Sequence, residues 1–234
     1  MILAGIFFIP FNSWDGLEFL GEFYRDSCFL FFSAGAIFLL FKKRIDIPHQ
    51  NIIFQFLLLL LAWCLIATLL NSLNVTNYFF KQTTGIERFI NQYGALIICS
   101  IILPIVFFNA FSLKDINKLF FTIRKVFLAS FIIVIIYAFF EVLIVKFEMQ
   151  ALKINVLNLF DYFPFTEAKT DNLLRRISSV TFEPPALGTY LLSISGWMFS
   201  YILTNKTNWR FFPAIAIVAL AFISGSRAAF FIVI

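Results

Sequence analysis

The sequence is poor in charged residues, in cysteine and above all in histidine. Charged residues make up 13% of the 234-residue chain, roughly half the share of an ordinary soluble domain. The three cysteines lie in apolar runs and the one histidine lies in a short polar segment, which argues against a disulfide framework and against a zinc or haem site. Glycine-rich phosphate loops, Gly-x-Ser-x-Gly elbows and Cys-x-x-Cys pairs are missing from the sequence. We therefore predict none of the common soluble-enzyme chemistries, no metal and no cofactor.

What the chain has in abundance is apolar surface. Hydrophobic residues make up 61% of it, and 35 residues are phenylalanine. A single chain of this size cannot bury so much apolar surface inside itself, so we expect the lipid bilayer to be its solvent. The net charge of +5 is then a matter of membrane orientation, because basic residues concentrate in cytoplasmic loops. We predict no nucleic-acid partner.

Apolar windows of roughly 20 residues predict membrane-spanning helices along the whole chain. The windows are 1–12, 27–41, 52–70, 95–111, 126–145, 186–203 and 211–223, and another begins at 228. We predict an all-α polytopic transmembrane helix bundle with about seven spans and the start of an eighth, forming a single membrane domain over 1–234. Because the last apolar run is so short, we expect the chain to be a fragment that ends inside a span.

The basic residues predict the orientation of these spans. Nine of the 18 lysines and arginines, but only two acids, fall in three short connections, 42–51, 112–125 and 204–210. By the positive-inside rule these connections are cytoplasmic. The intervening loops then face outside: 13–26, 71–94 and 146–185.

The longest outer loop, 146–185, leads into the stretch RRISSVTFEPPALGTYLL and so brings Arg175 and Arg176 to the start of a span. A third arginine, Arg227, follows in the corner FISGSRAAFF on the same predicted face. Guanidinium groups bind phosphate oxygens in a bidentate fork. Three arginines on one outer face would suit a lipid-linked diphosphate.

Simpler structural roles remain open for these residues. Glu183 followed by two prolines is typical of a helix start, because an acid suits the positive end of the dipole. Arg227 could extend to the interface or pair with Glu183. Glu141, an acid within a predicted span, could pair with an arginine or line an outer cavity. Small residues at helical spacing predict a close helix-packing stripe: Ala186, Thr189, Ser193, Gly196 and Ser200.

Three elements together resemble one known family. The segment RISSVTFEPPALGTY (176–190) is similar to the segment before a mid-chain span in bacterial O-antigen polymerases and O-antigen ligases. The corner ISGSRAA (223–229) resembles the Ser-Arg turn that opens the ligase and polymerase region of that family. The opening FFIPFNSWDGLEF (7–19) resembles the first span and loop of the family. The spacing of these short motifs covers essentially the whole chain.

The resemblance implies a GT-C-like integral-membrane glycosyltransferase of the bacterial inner membrane, with a periplasmic active face. Such enzymes use an undecaprenyl-diphosphate-linked glycan as donor, and either polymerise repeat units or ligate the glycan to lipid A-core. The partners it implies are therefore the lipid-linked glycan, the bilayer, and a chain-length regulator or a lipid A-core acceptor. On this chain the diphosphate-binding role falls to Arg176 and Arg227, then to Arg175, with Glu183 in support.

The resemblance supplies no general base within these residues, so we expect the base to lie beyond residue 234 and the chain alone to be inactive. Two other functions remain open. A multi-span transporter of an anionic substrate would also use an outer cationic surface, although paired broken helices are not visible in the sequence. A non-catalytic membrane scaffold would not need the arginines at all.

Overall fold

The structure, a computed structural model, describes most of the chain. The described residues are 1–14, 16, 23, 25–42, 45–80, 83–112, 115–147, 149, 163–167 and 176–230. They are almost wholly helical. The short helices are α1 (Ile2–Phe8), α4 (Ser72–Asn77) and α10 (Arg227–Phe230). The longer ones are α2 (Cys28–Phe41), α3 (Ile52–Leu70), α5 (Gly85–Ile97), α6 (Leu103–Phe111), α7 (Ile116–Val145), α8 (Pro184–Thr204) and α9 (Phe212–Ser224).

Two strands and two short turns of other helix types complete the fold in the described residues. Two short strands, β1 (Phe79–Phe80) and β2 (Thr83–Thr84), pair antiparallel. A π-helical turn, Ile98–Ile102, joins α5 and α6 into one continuous helix. A 3₁₀ turn, Asn208–Phe211, leads into α9.

The described residues contain four helices that are long and apolar enough to cross a membrane. They are α3, the continuous helix Gly85–Phe111, α7 and α8. Three of the other windows form shorter apolar helices: window 1–12 yields the 7-residue α1, window 27–41 the 14-residue α2 and window 211–223 the 13-residue α9. The window that begins at 228 starts within α10 and continues into residues 231–234, which lie outside the described residues. The all-α membrane character predicted from the sequence is thus confirmed at this coarser level.

Two predicted connections are largely helical, which corrects their boundaries. Helix α7 begins at Ile116, inside the predicted connection 112–125, because the side chain of Asp115 accepts a hydrogen bond from the Asn117 amide at 2.9 Å. Helix α5 begins at Gly85, inside the predicted loop 71–94, and Thr84 caps it in the same way. A hydropathy window ends where charged residues begin. A helix instead begins where a capping side chain accepts from its first backbone amides, and that can be within a charged segment.

The chain forms two compact units. The first unit comprises Met1–Ile2, Phe19–Phe23 and Phe32–Lys114. The second comprises Leu3–Glu18, Tyr24–Phe31 and Asp115–Ile234. Each has its own packing and is described separately, and the single domain over 1–234 stays a prediction.

The first unit is held by a few polar contacts between otherwise apolar helices. The Tyr93 hydroxyl donates to the Leu61 carbonyl at 3.0 Å and links α5 to α3. Asn109 and Asp46 exchange two bonds, at 2.6 and 2.9 Å, between α6 and the chain after α2. Most side chains of α3 are exposed, as expected for a helix whose neighbour is lipid.

The second unit has a close-packed core between α7, α8 and α9. Its fully buried side chains include Phe131 and Val134 of α7, Leu191 and Ile194 of α8, and Ile217 of α9. A buried bond of 2.9 Å between the hydroxyls of Ser130 and Tyr190 joins α7 and α8 inside this core.

The buried residues of α8 are large, apart from Gly188, contrary to the prediction from its small residues. Leu187, Leu191, Ile194 and Met198 recur at spacings of three and four and face the core. The predicted small-residue stripe lies mainly outside it: Thr189, Ser193 and Gly196 are exposed, and Ala186 and Ser200 are half-buried. The bulky side chains take the interface because α7 and α9 offer them a close-packed apolar core.

Candidate functional site

A buried carboxylate fixes the segment Arg176–Glu183 at the C-terminal end of α7. Glu141, only 8% exposed, accepts from the Ser179 amide at 2.6 Å. It also accepts from the Ser178 amide at 3.1 Å to each carboxylate oxygen, and from the Ser178 hydroxyl at 3.4 Å. Consecutive backbone N–H groups that converge on one anion form a compact nest. The intramembrane acid therefore serves to hold the backbone of the RISSVTF segment.

The conformation of this segment depends on its serines and threonine. Ser179 has φ 53°, in the left-handed region that side chains rarely adopt. Its hydroxyl donates to the Val134 carbonyl at 2.8 Å, which secures that conformation against α7. The Thr181 hydroxyl bonds the Ser178 and Glu183 carbonyls at 2.7 and 3.0 Å. The SSVT letters thus encode a tight, buried turn directly before α8.

The predicted helix start at Glu183 is confirmed. Glu183 has extended backbone and precedes α8 as its N-cap residue, and Pro184 occupies the first helical position. Its carbonyl accepts from Leu187 at 3.2 Å, while its exposed side chain makes no capping bond. Two prolines can stand here because the first helical amides have no partner within the helix.

The corner that carries Arg227 packs against the start of α8. Helix α9 ends at Ser224, and Gly225 follows with φ 59°. A Cβ on Gly188, in the second turn of α8, would stand 2.3 Å from the Ser226 hydroxyl oxygen. Only a glycine admits so close an approach. The two sequence motifs, RISSVTFEPPALG and SGSR, therefore meet in the second unit.

The predicted site residues are placed as follows. Arg176 directly precedes the buried turn and is exposed, as is Arg227 at the start of α10. Glu183 is exposed between them in the chain. Arg175 lies outside the described residues. The structure thus brings the segments of Arg176, Glu183 and Arg227 to the same end of the second unit.

Residues near the N-terminus join this end, and sequence reasoning did not single them out. The Asn12 side-chain oxygen accepts from the Phe182 amide at 2.9 Å. The Arg25 guanidinium lies 4.3 Å from the centroid of the Phe182 ring. The signal available was the opening stretch FFIPFNSWDGLEF, which contains Asn12 and which the family resemblance had already marked.

Asp26 is the acid of this N-terminal group. Burial raises the pKa of its carboxyl above the usual range, and a hydrogen bond from Asn12 opposes the rise. Since the Asn12 oxygen accepts from Phe182, its amide nitrogen is the atom that can donate to Asp26. Asn12 therefore connects the Asp26 carboxyl to the segment that carries Arg176.

The opposite end of the second unit contains a buried arginine. Arg124, 5% exposed, donates to the hydroxyls of Ser200 and Thr204 near the end of α8. Its guanidinium lies 4.0 Å from the centroid of Tyr201. The sequence prediction put Arg124 in a connection between spans, whereas the structure places it inside α7. A cation at the C-terminal end of α8 is favoured by the helix dipole.

Arg124 and Glu141 lie 17 residues apart on one helix, which is about 26 Å at ~1.5 Å per residue. The hydrocarbon core of a bilayer is ~30 Å thick. The spacing of the two buried charges of α7 is therefore close to the thickness of that core. Chemically, the Glu141 end offers exposed arginines on a fixed backbone, an arrangement able to bind an anion.

The chain was compared with protein families, with curated proteins and with solved structures, and none of the three comparisons found a match.

Proposed function

We propose that the chain belongs to an integral-membrane glycosyltransferase of surface polysaccharide assembly. It would polymerise or ligate undecaprenyl-diphosphate-linked oligosaccharide units at the periplasmic face of the bacterial inner membrane. In this proposal the bundle is GT-C-like with about seven spans, and the loops 13–26, 71–94 and 146–185 are periplasmic. A chain-length regulator or a lipid A-core acceptor would be its partner. The function rests on the motif resemblance and on the placement of the motifs in the second unit.

One observation supports the proposal most. The SGSR corner packs against the start of α8 at Gly188, and the RISSVTF segment that leads into α8 is anchored on Glu141. Exposed Arg176 and Arg227 consequently belong to the same end of the second unit. The family resemblance implies that the RISSVTF segment and the SGSR corner bind the same diphosphate. Two segments can do so only if they lie close together, and these two pack at the same end of α8.

The chemistry follows from the charge that develops in glycosyl transfer. When the bond between the sugar and the diphosphate breaks, negative charge grows on the leaving diphosphate. Arginine forks held on a fixed backbone stabilise that charge with little reorganisation. Arg176 and Arg227 would bind the diphosphate in this way, with Arg175 beside Arg176 in the chain and Glu183 positioning an arginine or the acceptor. A general base is not assigned.

The test is complementation of a strain that lacks the gene, using the complete gene with single substitutions. We expect Arg176→Ala and Arg227→Ala each to reduce formation of the polymerised or ligated surface glycan by about 10²–10³-fold, the usual cost of removing one transition-state donor. Arg210→Ala is the matched control, because Arg210 lies beyond the Arg124 end of α8 and packs on Phe211.

Each outcome separates the candidates. Loss of the glycan ladder with single repeats retained identifies a polymerase. Bare lipid A-core with glycan stranded on the lipid carrier identifies a ligase. Loss of uptake of an anionic solute, with surface glycan unchanged, would replace the proposal with transport. Unchanged glycan and unchanged uptake in both arginine variants would leave only the scaffold.

A further inference from the structure

The first unit contains a cavity of about 350 Å³ between α3, α4 and α5. This volume is at the small end of the ~300–1,000 Å³ that is usual for small-molecule sites. Its wall includes two rings, Tyr78 and Phe89, and two amide side chains, Asn74 and Gln92. Arg88 and Thr68 also line it. We propose that this cavity binds a sugar ring.

The cavity is built by a close approach of backbone segments. A Cβ on Gly85 would stand 2.1 Å from the Val75 carbonyl oxygen, so only glycine lets α5 begin so near α4. The Gly85 amide donates to the Tyr78 carbonyl at 2.8 Å. Pairing of β1 with β2 and the Thr84 cap on the Glu87 amide hold the same turn. The aromatic and polar walls are therefore fixed by the fold of the unit itself.

The side chains around the cavity match the chemistry of a sugar better than that of other ligands. Each sugar hydroxyl can both donate and accept a hydrogen bond. The side-chain amides of Asn74 and Gln92 match this, because each has an NH₂ that donates and a carbonyl oxygen that accepts. The C–H face of a pyranose packs on an aromatic ring, and Tyr78 is 54% exposed. The described lining residues include no carboxylate, so they offer a divalent cation none of its preferred ligands. One arginine among neutral groups suits a neutral or singly charged ring.

The position of the cavity along its helices places it at the membrane surface. The continuous helix Gly85–Phe111 has 27 residues and is ~40 Å long at ~1.5 Å per residue. That exceeds the ~30 Å hydrocarbon core. Arg88 and Phe89 lie in the first turns of this helix, and Thr68 lies in the last turn of α3. The cavity thus belongs at the level of the headgroups, in contact with water.

This site does not depend on the transfer reaction proposed for the second unit. The test uses the purified chain in phosphatidylcholine nanodiscs with methyl hexosides as probes, followed by saturation-transfer NMR. We expect saturable binding in the millimolar range, and at least a tenfold weaker affinity in Tyr78→Ala and in Asn74→Ala. Trp63→Ala is the matched control, because this exposed ring of α3 does not line the cavity, and its affinity should equal the wild type.

Three results would overturn the proposal. The first is the absence of saturable binding by any hexoside in protein that retains its wild-type melting temperature. The second is equal loss of binding in Trp63→Ala. The third is that inorganic phosphate or glycerol phosphate binds at this site while hexosides do not, which would identify an anion or lipid-headgroup site. Asn74→Ala is the safeguard should Tyr78→Ala fail to fold, since Asn74 is exposed on α4.

Discussion

The two units are similar in composition but use their apolar residues differently. In the first unit, the most apolar 18-residue windows of α3 and of Gly85–Phe111 are only 11% and 6% buried. In the second unit, the corresponding windows of α7 and α8 are 28% and 39% buried. Hydropathy is therefore no guide to internal packing in a membrane chain, because lipid accepts an apolar side chain as readily as another helix does.

Polar contacts are also more deeply buried in the second unit than in the first. The second unit buries a carboxylate, a guanidinium and several hydroxyls, whereas the first unit relies on exposed or half-buried amide and hydroxyl bonds. A buried polar group is costly unless it is bonded, and a bonded one favours a single conformation. The Glu141 carboxylate and the hydroxyls of Ser130 and Tyr190 are bonded in this way, whereas Nε of Arg124 has no hydrogen-bond partner among the described residues. We infer that the second unit is the rigid part on which a fixed site can be built.

The largest effect should come from removing the Glu141 carboxylate. Glu141→Ala leaves the buried amides of Ser178 and Ser179 without this acceptor, at ~1–3 kcal/mol each. We expect a loss of about 2–6 kcal/mol in the unfolding free energy, measured by denaturant titration in bicelles. Glu87→Ala, an exposed acid of the first unit, should cost less than about 1 kcal/mol. Equal effects of the two substitutions would show that the hydrogen bonds from Ser178 and Ser179 to Glu141 contribute nothing to stability.

A smaller loss should follow from truncating the core of the second unit. Leu191→Ala removes a fully buried side chain from α8 and should cost about 2–5 kcal/mol. Leu60 of α3 is 50% exposed, so Leu60→Ala should cost far less, because lipid fills the space. The comparison is again one of unfolding free energies in bicelles. If Leu60→Ala were as harmful, α3 would have a packing partner that its exposure does not suggest.

Three glycines test the close approach at the candidate site. Gly188→Ala should destabilise by about 1–3 kcal/mol, since its methyl group would overlap Ser226. Gly94→Ala in the first unit and Gly196→Ala in α8 meet nothing within 4 Å, and each should stabilise its helix by about 0.5–1 kcal/mol. Melting temperatures would show opposite signs. A stabilising Gly188→Ala would refute the packing of the SGSR corner on α8.

The smallest effect concerns pH. The pKa of Asp26 is raised in the folded chain. The stability contributed by its protonated carboxyl is therefore fully present below the pKa of the unfolded chain, ~3.9. It is lost as the pH rises through the higher pKa of the folded chain. Asp26→Asn should remove this part of the pH dependence, measured as melting temperature between about pH 4 and pH 7. An unaltered profile in Asp26→Asn would mean that the carboxyl is solvated.

Sequence reasoning recovered the helix positions better than their ends. The apolar windows located α3, α7 and α8, because lipid selects for long apolar runs. The same reasoning placed Arg124 in a connection and 71–94 outside the helices. Charged and amide side chains lower the hydropathy there, so the apolar windows are shorter than the helices. The Glu183 helix start was found because capping chemistry is local.

The candidate site was only partly predictable for a physical reason. The motif letters marked Arg176 and Arg227, but nothing in them showed that Glu141 would anchor Ser178 and Ser179. That contact joins residues 37 and 38 positions apart. Asn12 and Phe182 are 170 positions apart. Pairings at such separations depend on how the helices stack, and no local pattern encodes them.

The sequence by itself determined that this is a helical membrane chain with its basic residues grouped in alternate connections, since solvent preference and helix propensity act residue by residue. The tertiary structure alone decided which apolar face of α8 is buried, which acid holds the arginine segment and which glycine admits the SGSR corner. Those outcomes depend on the shape and spacing of neighbouring helices, because in lipid it is close packing and satisfied hydrogen bonds, rather than hydrophobicity, that select one arrangement.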